Sequence, residues 1–190
     1  MRGSTYGFRV GHFDRTRPLT IDPVLQSTYL GGGNADSLDA VTVHPGTGEV
    51  LVVGETYSYS MPGVSEAHLG NGGGIDTFVA RFDPELATLL QVAYFGGTGG
   101  DAARSIAVSR SSGDVYVAGA TSSLDLPGVF GRAQPTYAGA VDGFVVRFDP
   151  SLTRLLGATY LGGAGLDRIL GIACSGSAPV AFGSKSPGRR

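Results

Sequence analysis

The chain has no tryptophan and a single cysteine, Cys174, among its 190 residues. One cysteine excludes an internal disulfide and any cysteine-based zinc site. Cys174 ends the apolar stretch Gly171-Ile-Ala-Cys174, the setting of an inert buried thiol rather than a nucleophile. Charge is scarce as well, with 16% charged residues and a net charge of −2. Without a basic excess to neutralise phosphates, a nucleic-acid partner is disfavoured. Lys185 is the one lysine among 14 basic residues, a bias that fits a GC-rich genome better than any function. No apolar run approaches the roughly 18 to 20 residues needed for a bilayer-spanning helix, so no membrane span is expected. The opening Met1-Arg-Gly-Ser-Thr-Tyr-Gly7 lacks the apolar stretch of a signal peptide. Either the protein is cytoplasmic, or this start is not the natural one.

What the chain has in quantity is glycine, 32 residues, beside 10 prolines. The glycines follow no three-residue period, which excludes collagen. Leu, Ile, Val and Phe make up about a quarter of the sequence, enough to build a core instead of a disordered chain.

Much of this glycine belongs to an internal repeat, the feature to seek before any other. With an offset of 65, Tyr29-Leu-Gly-Gly32 falls on Tyr94-Phe-Gly-Gly97 and Gly48-Glu-Val-Leu-Val-Val-Gly54 on Gly113-Asp-Val-Tyr-Val-Ala-Gly119. Thr56 then matches Thr121, and Met61-Pro-Gly-Val64 matches Leu126-Pro-Gly-Val129. After one inserted residue, Asp76-Thr-Phe-Val-Ala-Arg-Phe-Asp-Pro84 lies on Asp142-Gly-Phe-Val-Val-Arg-Phe-Asp-Pro150. A third copy opens at Tyr160-Leu-Gly-Gly163.

Each copy reads as short strands. Phe144, Val146 and Phe148 alternate with Val145 and Arg147, the period of two expected of a strand. Ser105-Ile-Ala-Val108, Val115-Tyr-Val-Ala118 and Leu90-Gln-Val-Ala-Tyr-Phe95 supply three more, and Arg110-Ser-Ser-Gly-Asp114 has the length and glycine of a hairpin turn. Several strands are apolar on both faces, as when one sheet lies between two others, and no segment shows sustained helical spacing. Four strands per repeat, covered on both faces, predict an all-β protein built of four-stranded antiparallel β-propeller blades. A β-sandwich with a duplicated motif is the competing architecture.

The repeated set Tyr-Leu-Gly-Gly, Gly-Asp-Val-Tyr-Val-Ala-Gly, Thr-Ser-Ser and Asp-Gly-Phe-Val-Val-Arg-Phe-Asp-Pro resembles the SBBP-type bacterial β-propeller repeat, over about Leu25 to Gly183. The resemblance implies tandem blades of a large secreted or cell-surface bacterial protein. Residues 1–24 resemble the closing stretch of a β domain that commonly precedes such repeats. The expected division is 25–90 as blade 1, 91–156 as blade 2, 157–184 as a partial blade 3, and 185–190 as a disordered tail. In the third copy Pro179 cannot donate to a ladder, which predicts an edge strand. Residues 25–190 hold roughly two and a half copies, whereas a closed ring needs about 4 to 8 blades. The expectation is a fragment with an incomplete, open propeller, completed by the remaining blades of the same protein or by self-association.

Gly96-Gly-Thr-Gly-Gly-Asp101 and Gly162-Gly-Ala-Gly-Leu-Asp167 satisfy G-G-x-G-x-D, and Gly31-Gly-Gly-Asn-Ala-Asp36 nearly does. That hexamer belongs to calcium-binding β-rolls, whose copies lie about nine residues apart. Here the spacing predicts instead a tight turn between the first two strands of a blade. In that reading glycine supplies positive φ and the aspartate bonds nearby amides.

Asp83-Pro84 and Asp149-Pro150 read as turn initiators, and Arg81 and Arg147 are expected to pair with Asp76 and Asp142. Ser109-Arg-Ser-Ser-Gly113 fails the sialidase Asp-box pattern. His12, His44 and His68 lie in exposed loops, recur in no second copy and stand near no nucleophile motif. Lys185 lacks the glycine spacing of a phosphate loop. No residue is therefore assigned a catalytic, cofactor-binding or metal role, and no cofactor is expected.

The function read from these features is a non-enzymatic structural or interaction module with an unidentified protein or glycan partner, and the resemblance implies an extracellular or cell-surface location. Two alternatives stand beside it. One is a calcium-stabilised adhesion element using the G-G-x-G-x-D turns. The other is a hydrolase or lyase whose channel site is completed by further blades. Partner contacts are expected in the long loops Tyr57–Ile75 and Ser122–Val141.

Overall fold

A computed structural model describes residues 28–63, 73–175 and 178–185. Residues 1–24, read as the end of a preceding domain, lie outside the described residues, as do His12, His68 and part of the first long loop. Among the described residues there is no helix. The fold is all-β. Ten strands follow in order: β1 (Asp36–Val43), β2 (Val50–Thr56), β3 (Asp76–Phe82), β4 (Leu89–Phe95), β5 (Asp101–Val108), β6 (Val115–Thr121), β7 (Asp142–Phe148), β8 (Leu155–Leu161), β9 (Asp167–Ser175) and β10 (Ala178–Lys185). They form two four-stranded antiparallel sheets, β1-β2-β3-β4 and β5-β6-β7-β8, and a two-stranded sheet of β9 with β10. These are blade-like meanders stacked face to face, and they do not close into a ring among the described residues. Pro179 lies in β10, which among the described residues pairs with β9 alone.

Alternation decides what each face meets. Phe144, Val146 and Phe148 of β7 point toward the first sheet, into a core shared with Leu51, Val53, Val79, Ala93 and Phe95. The Phe95 ring stands 5.3 Å from Phe144 and 6.3 Å, edge-on, from Phe148. The opposite face of the second sheet carries Tyr116, Ala118 and Val145 against Ile169 and Ile172 of β9. Every residue of β6 is buried, as a strand between two covered faces must be.

The hydrogen-bonded unit and the repeat unit are out of step by a strand. The divisions at 90/91 and 156/157 fall inside β4 and β8, which complete the first and second sheets. The G-G-x-G-x-D segments are accordingly not turns within a blade. They are the crossings from the last strand of one sheet to the first strand of the next. Lys185, placed at the head of the tail, ends β10 in register with Asp167.

The expected reason for glycine in these crossings also changes. Among the described glycines, positive φ occurs at residues 48, 63, 113, 128, 131 and 157, none of them in a crossing. Close approach is what excludes a side chain there. A methyl group on Gly97 would stand 2.8 Å from Ser123 Cβ, and one on Gly32 would collide with the Ser60 carbonyl. Gly54 and Gly119 have a related cause. Each faces a β-bulge on the first strand of its sheet, so that an added methyl would run into the Ser37 or Ala102 carbonyl.

Candidate functional site at the sheet junctions

The aspartate that begins the first strand of each sheet organises the polar chemistry of the molecule. Asp101 is fully buried. Its Oδ2 accepts the Gly97 amide at 2.8 Å and the Ser123 hydroxyl at 2.6 Å, and its Oδ1 accepts the Thr121 hydroxyl at 2.5 Å. Thr121 Oγ1 in turn accepts the Ser123 amide at 2.9 Å. The first copy repeats this set: Asp36 accepts from Gly32, Ser58 and Thr56, and Thr56 Oγ1 accepts from Ser58. In the third copy Asp167 Oδ2 still accepts the Gly163 amide at 2.6 Å. Its Oδ1 has no hydrogen-bond partner among the described residues. The residue opposite it in the ladder is Lys185, where the other two copies have threonine. The expectation that these aspartates bond nearby amides therefore holds, and the repeated Thr and Ser are their further partners.

Junctions are also tied by main chain and charge. The Asp101 amide donates to the Ile75 carbonyl at 2.7 Å and the Asp167 amide to Val141 at 2.8 Å, each bridging adjacent sheets. Arg104 on β5 reaches Asp39 on β1 at 2.8 Å and Glu55 on β2 at 2.5 Å.

A second set of aspartates, at the start of each third strand, approaches the same junctions. Asp142 is fully buried and its Oδ2 accepts the Ala138 amide at 2.7 Å. Burial pushes its carboxyl above the usual range; the Ala138 bond opposes this, and the Asp167 charge adds to it. The arginines expected to pair with Asp76 and Asp142 lie elsewhere. Arg81 reaches Glu49 at 3.4 Å, and Arg147 pairs with Asp114 while standing 5.7 Å over the Tyr116 ring. Asp76 and Arg81, like Asp142 and Arg147, stand five residues apart on one strand and so on opposite faces, and the neighbouring hairpin supplies the nearer carboxylate.

The Asp-Pro pairs are turns. Asp149 Oδ1 accepts the Thr153 and Arg154 amides at 2.8 and 2.7 Å, and Asp83 Oδ1 accepts the Ala87 and Thr88 amides. Each turn contains a leucine with positive φ, Leu86 and Leu152. Leu152 is fully buried in the shared core, which holds it in that conformation. Ser109 to Asp114 form the expected hairpin, with the Ser109 amide on the Asp114 carbonyl and Gly113 at φ 75°. His44 is half-buried rather than exposed. Its Nδ1 accepts the Gly46 and Thr47 amides, a turn-capping role. Cys174 is half-buried on β9, and burial pushes its thiol up, away from nucleophilic character.

The loop from Ser122 to Val141 is anchored to β8. Tyr160 Oη donates to the Ser123 carbonyl and accepts the Leu126 amide, both at 3.0 Å, and Gln134 Oε1 accepts the Gly162 amide at 3.0 Å. Leu124 and Phe130 stand out from it in solvent. Among the described residues no group of three or more His, Cys, Asp and Glu side chains is gathered as metal ligands would be, and no helix is long and apolar enough to cross a membrane. Neither the models of known protein families nor the curated proteins include a match to this chain.

Proposed function

We propose that the chain is a non-enzymatic structural or interaction module, a run of blades in a β-propeller repeat protein of the SBBP type, secreted or held at a bacterial cell surface. One observation carries the interaction part: equivalent residues of the two four-stranded sheets have opposite fates. Ala103, Ile106 and Val108 are no more than 8% exposed where the second sheet meets the first, whereas Leu38, Val41 and Val43 are 56%, 65% and 58% exposed. The first sheet thus offers the type of face that the second uses to bind a blade. A groove of about 250 Å³ lies on it, lined by Leu30, Leu38, Val41, Val50, Val52 and Phe82. At the other end Leu170, Val180 and Phe182 are exposed on the two-stranded sheet. Apolar clusters of this kind mark interaction surfaces.

The repeated Asp, Thr and Ser side chains are engaged in holding the crossings, which supports a structural use of the recurring polar residues. The family, the bacterial source and the location rest on the resemblance of the repeats. Leu124 and Phe130, on the anchored loop, are the residues most suited to contact a protein or glycan partner.

Light scattering over a concentration series tests this reading. The chain is expected to associate, and Val41→Lys to lower the associated mass without changing the far-UV circular dichroism. Ile106→Lys, at the equivalent buried position, is expected to unfold the protein. A wild type that stays monomeric at every concentration would overturn the interaction reading. Turnover in a panel of glycosidase, esterase and polysaccharide-lyase assays would overturn the non-enzymatic one, and a purely cytoplasmic immunoblot signal in the source cells would overturn the proposed location.

A further inference from the structure

At the junction of the second and third sheets, the carboxylates of Asp142 on β7 and Asp167 on β9 both pack against Gly162. Asp142 Oδ2 is engaged by the Ala138 amide, but Oδ1 is buried with no hydrogen-bond partner among the described residues. Two glycines show where Oδ1 points. A methyl group on Gly162 would collide with it and stand 3.1 Å from Asp167 Oδ2. A methyl group on Gly139 would stand 3.2 Å from the same Oδ1 and 2.5 Å from the Gly165 carbonyl oxygen, and would collide with that of Gly163. The oxygens brought together here belong to two carboxylates and two main-chain carbonyls, of which Gly165's also accepts the Ala140 amide at 3.2 Å and Asp167 Oδ2 the Gly163 amide at 2.6 Å.

Two carboxylates removed from water repel each other and lose their hydration, a cost that only a compensating positive charge or a proton offsets. Carboxylate and carbonyl oxygens mixed in this way are the donor set of a hard cation, and calcium accepts the irregular geometry that magnesium does not. We propose that this junction binds a calcium ion through Asp142 Oδ1, Asp167 Oδ2 and the Gly163 and Gly165 carbonyls, with water completing the shell. The ion would bridge strands of adjacent sheets, a different arrangement from tandem β-roll turns, and the inference does not depend on the proposed cell-surface role. The first junction shares the close approach of the glycines, but there the Asp101 carboxylate is already held by Gly97, Thr121 and Ser123. A methyl on Gly96 would stand 2.9 Å from Asp101 Oδ2 and run into the Asp76 carboxylate, and one on Gly73 would stand 2.5 Å from the Thr98 carbonyl.

Calcium chloride titrated calorimetrically into chelator-treated protein, with thermal unfolding in parallel, tests the assignment. Binding heat and a rise in melting temperature are expected, both larger than with magnesium chloride. Asp142→Asn and Asp167→Asn should each remove one site's worth of heat. Asp142→Asn should also melt at or above the wild-type temperature in chelator, because it discards a buried charge, and this separates a lost site from a misfolded variant. The proposal is overturned if wild type shows neither heat nor thermal shift up to about 10 mM calcium, beyond the range of weak extracellular modules. It is equally overturned if Asp142→Asn titrates like wild type. Stabilisation on mild acidification without any calcium response would show a shared proton in place of an ion, and would overturn it too.

Discussion

Replacing Thr121 by valine isolates the device on which the crossings depend. Valine has nearly the shape of threonine and the same β-branching, so it leaves no cavity and preserves the strand preference. What disappears is one hydroxyl with two duties. It donates to Asp101 Oδ1 at 2.5 Å and accepts the Ser123 amide at 2.9 Å, with all three residues buried. A hydrogen bond to a charged group contributes about 1.5 to 3 kcal/mol, and orphaning a buried amide adds about 1 kcal/mol or more. Thr121→Val should therefore cost about 2 to 4 kcal/mol. Thr56→Val removes the equivalent bonds in the first copy, where Asp36 is only half-buried and water can replace the lost donor. About 1 to 2 kcal/mol is expected there. Urea unfolding followed by far-UV circular dichroism measures both, with unchanged slopes showing that the denatured state is not altered. The reasoning fails if Thr121→Val costs less than about 0.5 kcal/mol, the level of an ordinary surface change. It fails as well if Thr56→Val proves the more damaging of the two.

Gly119→Ala should destabilise by about 2 kcal/mol or more, because its methyl meets the bulge backbone of Ala102 and Ala103, while Gly33→Ala, with open space around it, should be near neutral in the same urea assay. Asp149 is held below the usual carboxylate range: burial would raise it, but bonds from Ser151, Arg154 and Thr153 prevail. Its contribution is present at neutral pH and lost as pH falls through the depressed value, so Asp149→Asn should be less stable at pH 7 and show a flatter acid limb in melts from pH 7 to 3. Cys174 should react with iodoacetamide at pH 8 more slowly than free cysteine, since burial raises its thiol; an equal rate would refute that account.

Local periodicity carries the strands because it is a property of neighbouring residues. Alternation at Phe144, Val146 and Phe148, the glycine hairpin at Gly113 and the doubly apolar β6 are all readable without knowing what they touch. The sheet frame is not readable in this way. Leu89–Phe95 closes the first sheet through main-chain bonds to β3, and such pairing leaves no mark in side-chain pattern. The same limit applied to the arginines, whose partners Glu49 and Asp114 sit on another hairpin, and to the crossing glycines, whose constraint is a neighbour in space and not a dihedral angle.

By itself, then, the sequence determined an all-β chain of repeated four-stranded units, because spacing of apolar residues and glycine is repeated in each copy. Only the tertiary structure decided which of two equivalent faces is covered, leaving Val41 open and Ile106 buried. It alone brought Asp142 and Asp167 against the same glycine, Gly162, from positions 25 residues apart in the chain. Burial and convergence depend on what packs beside a strand, and identical local patterns carry no record of that.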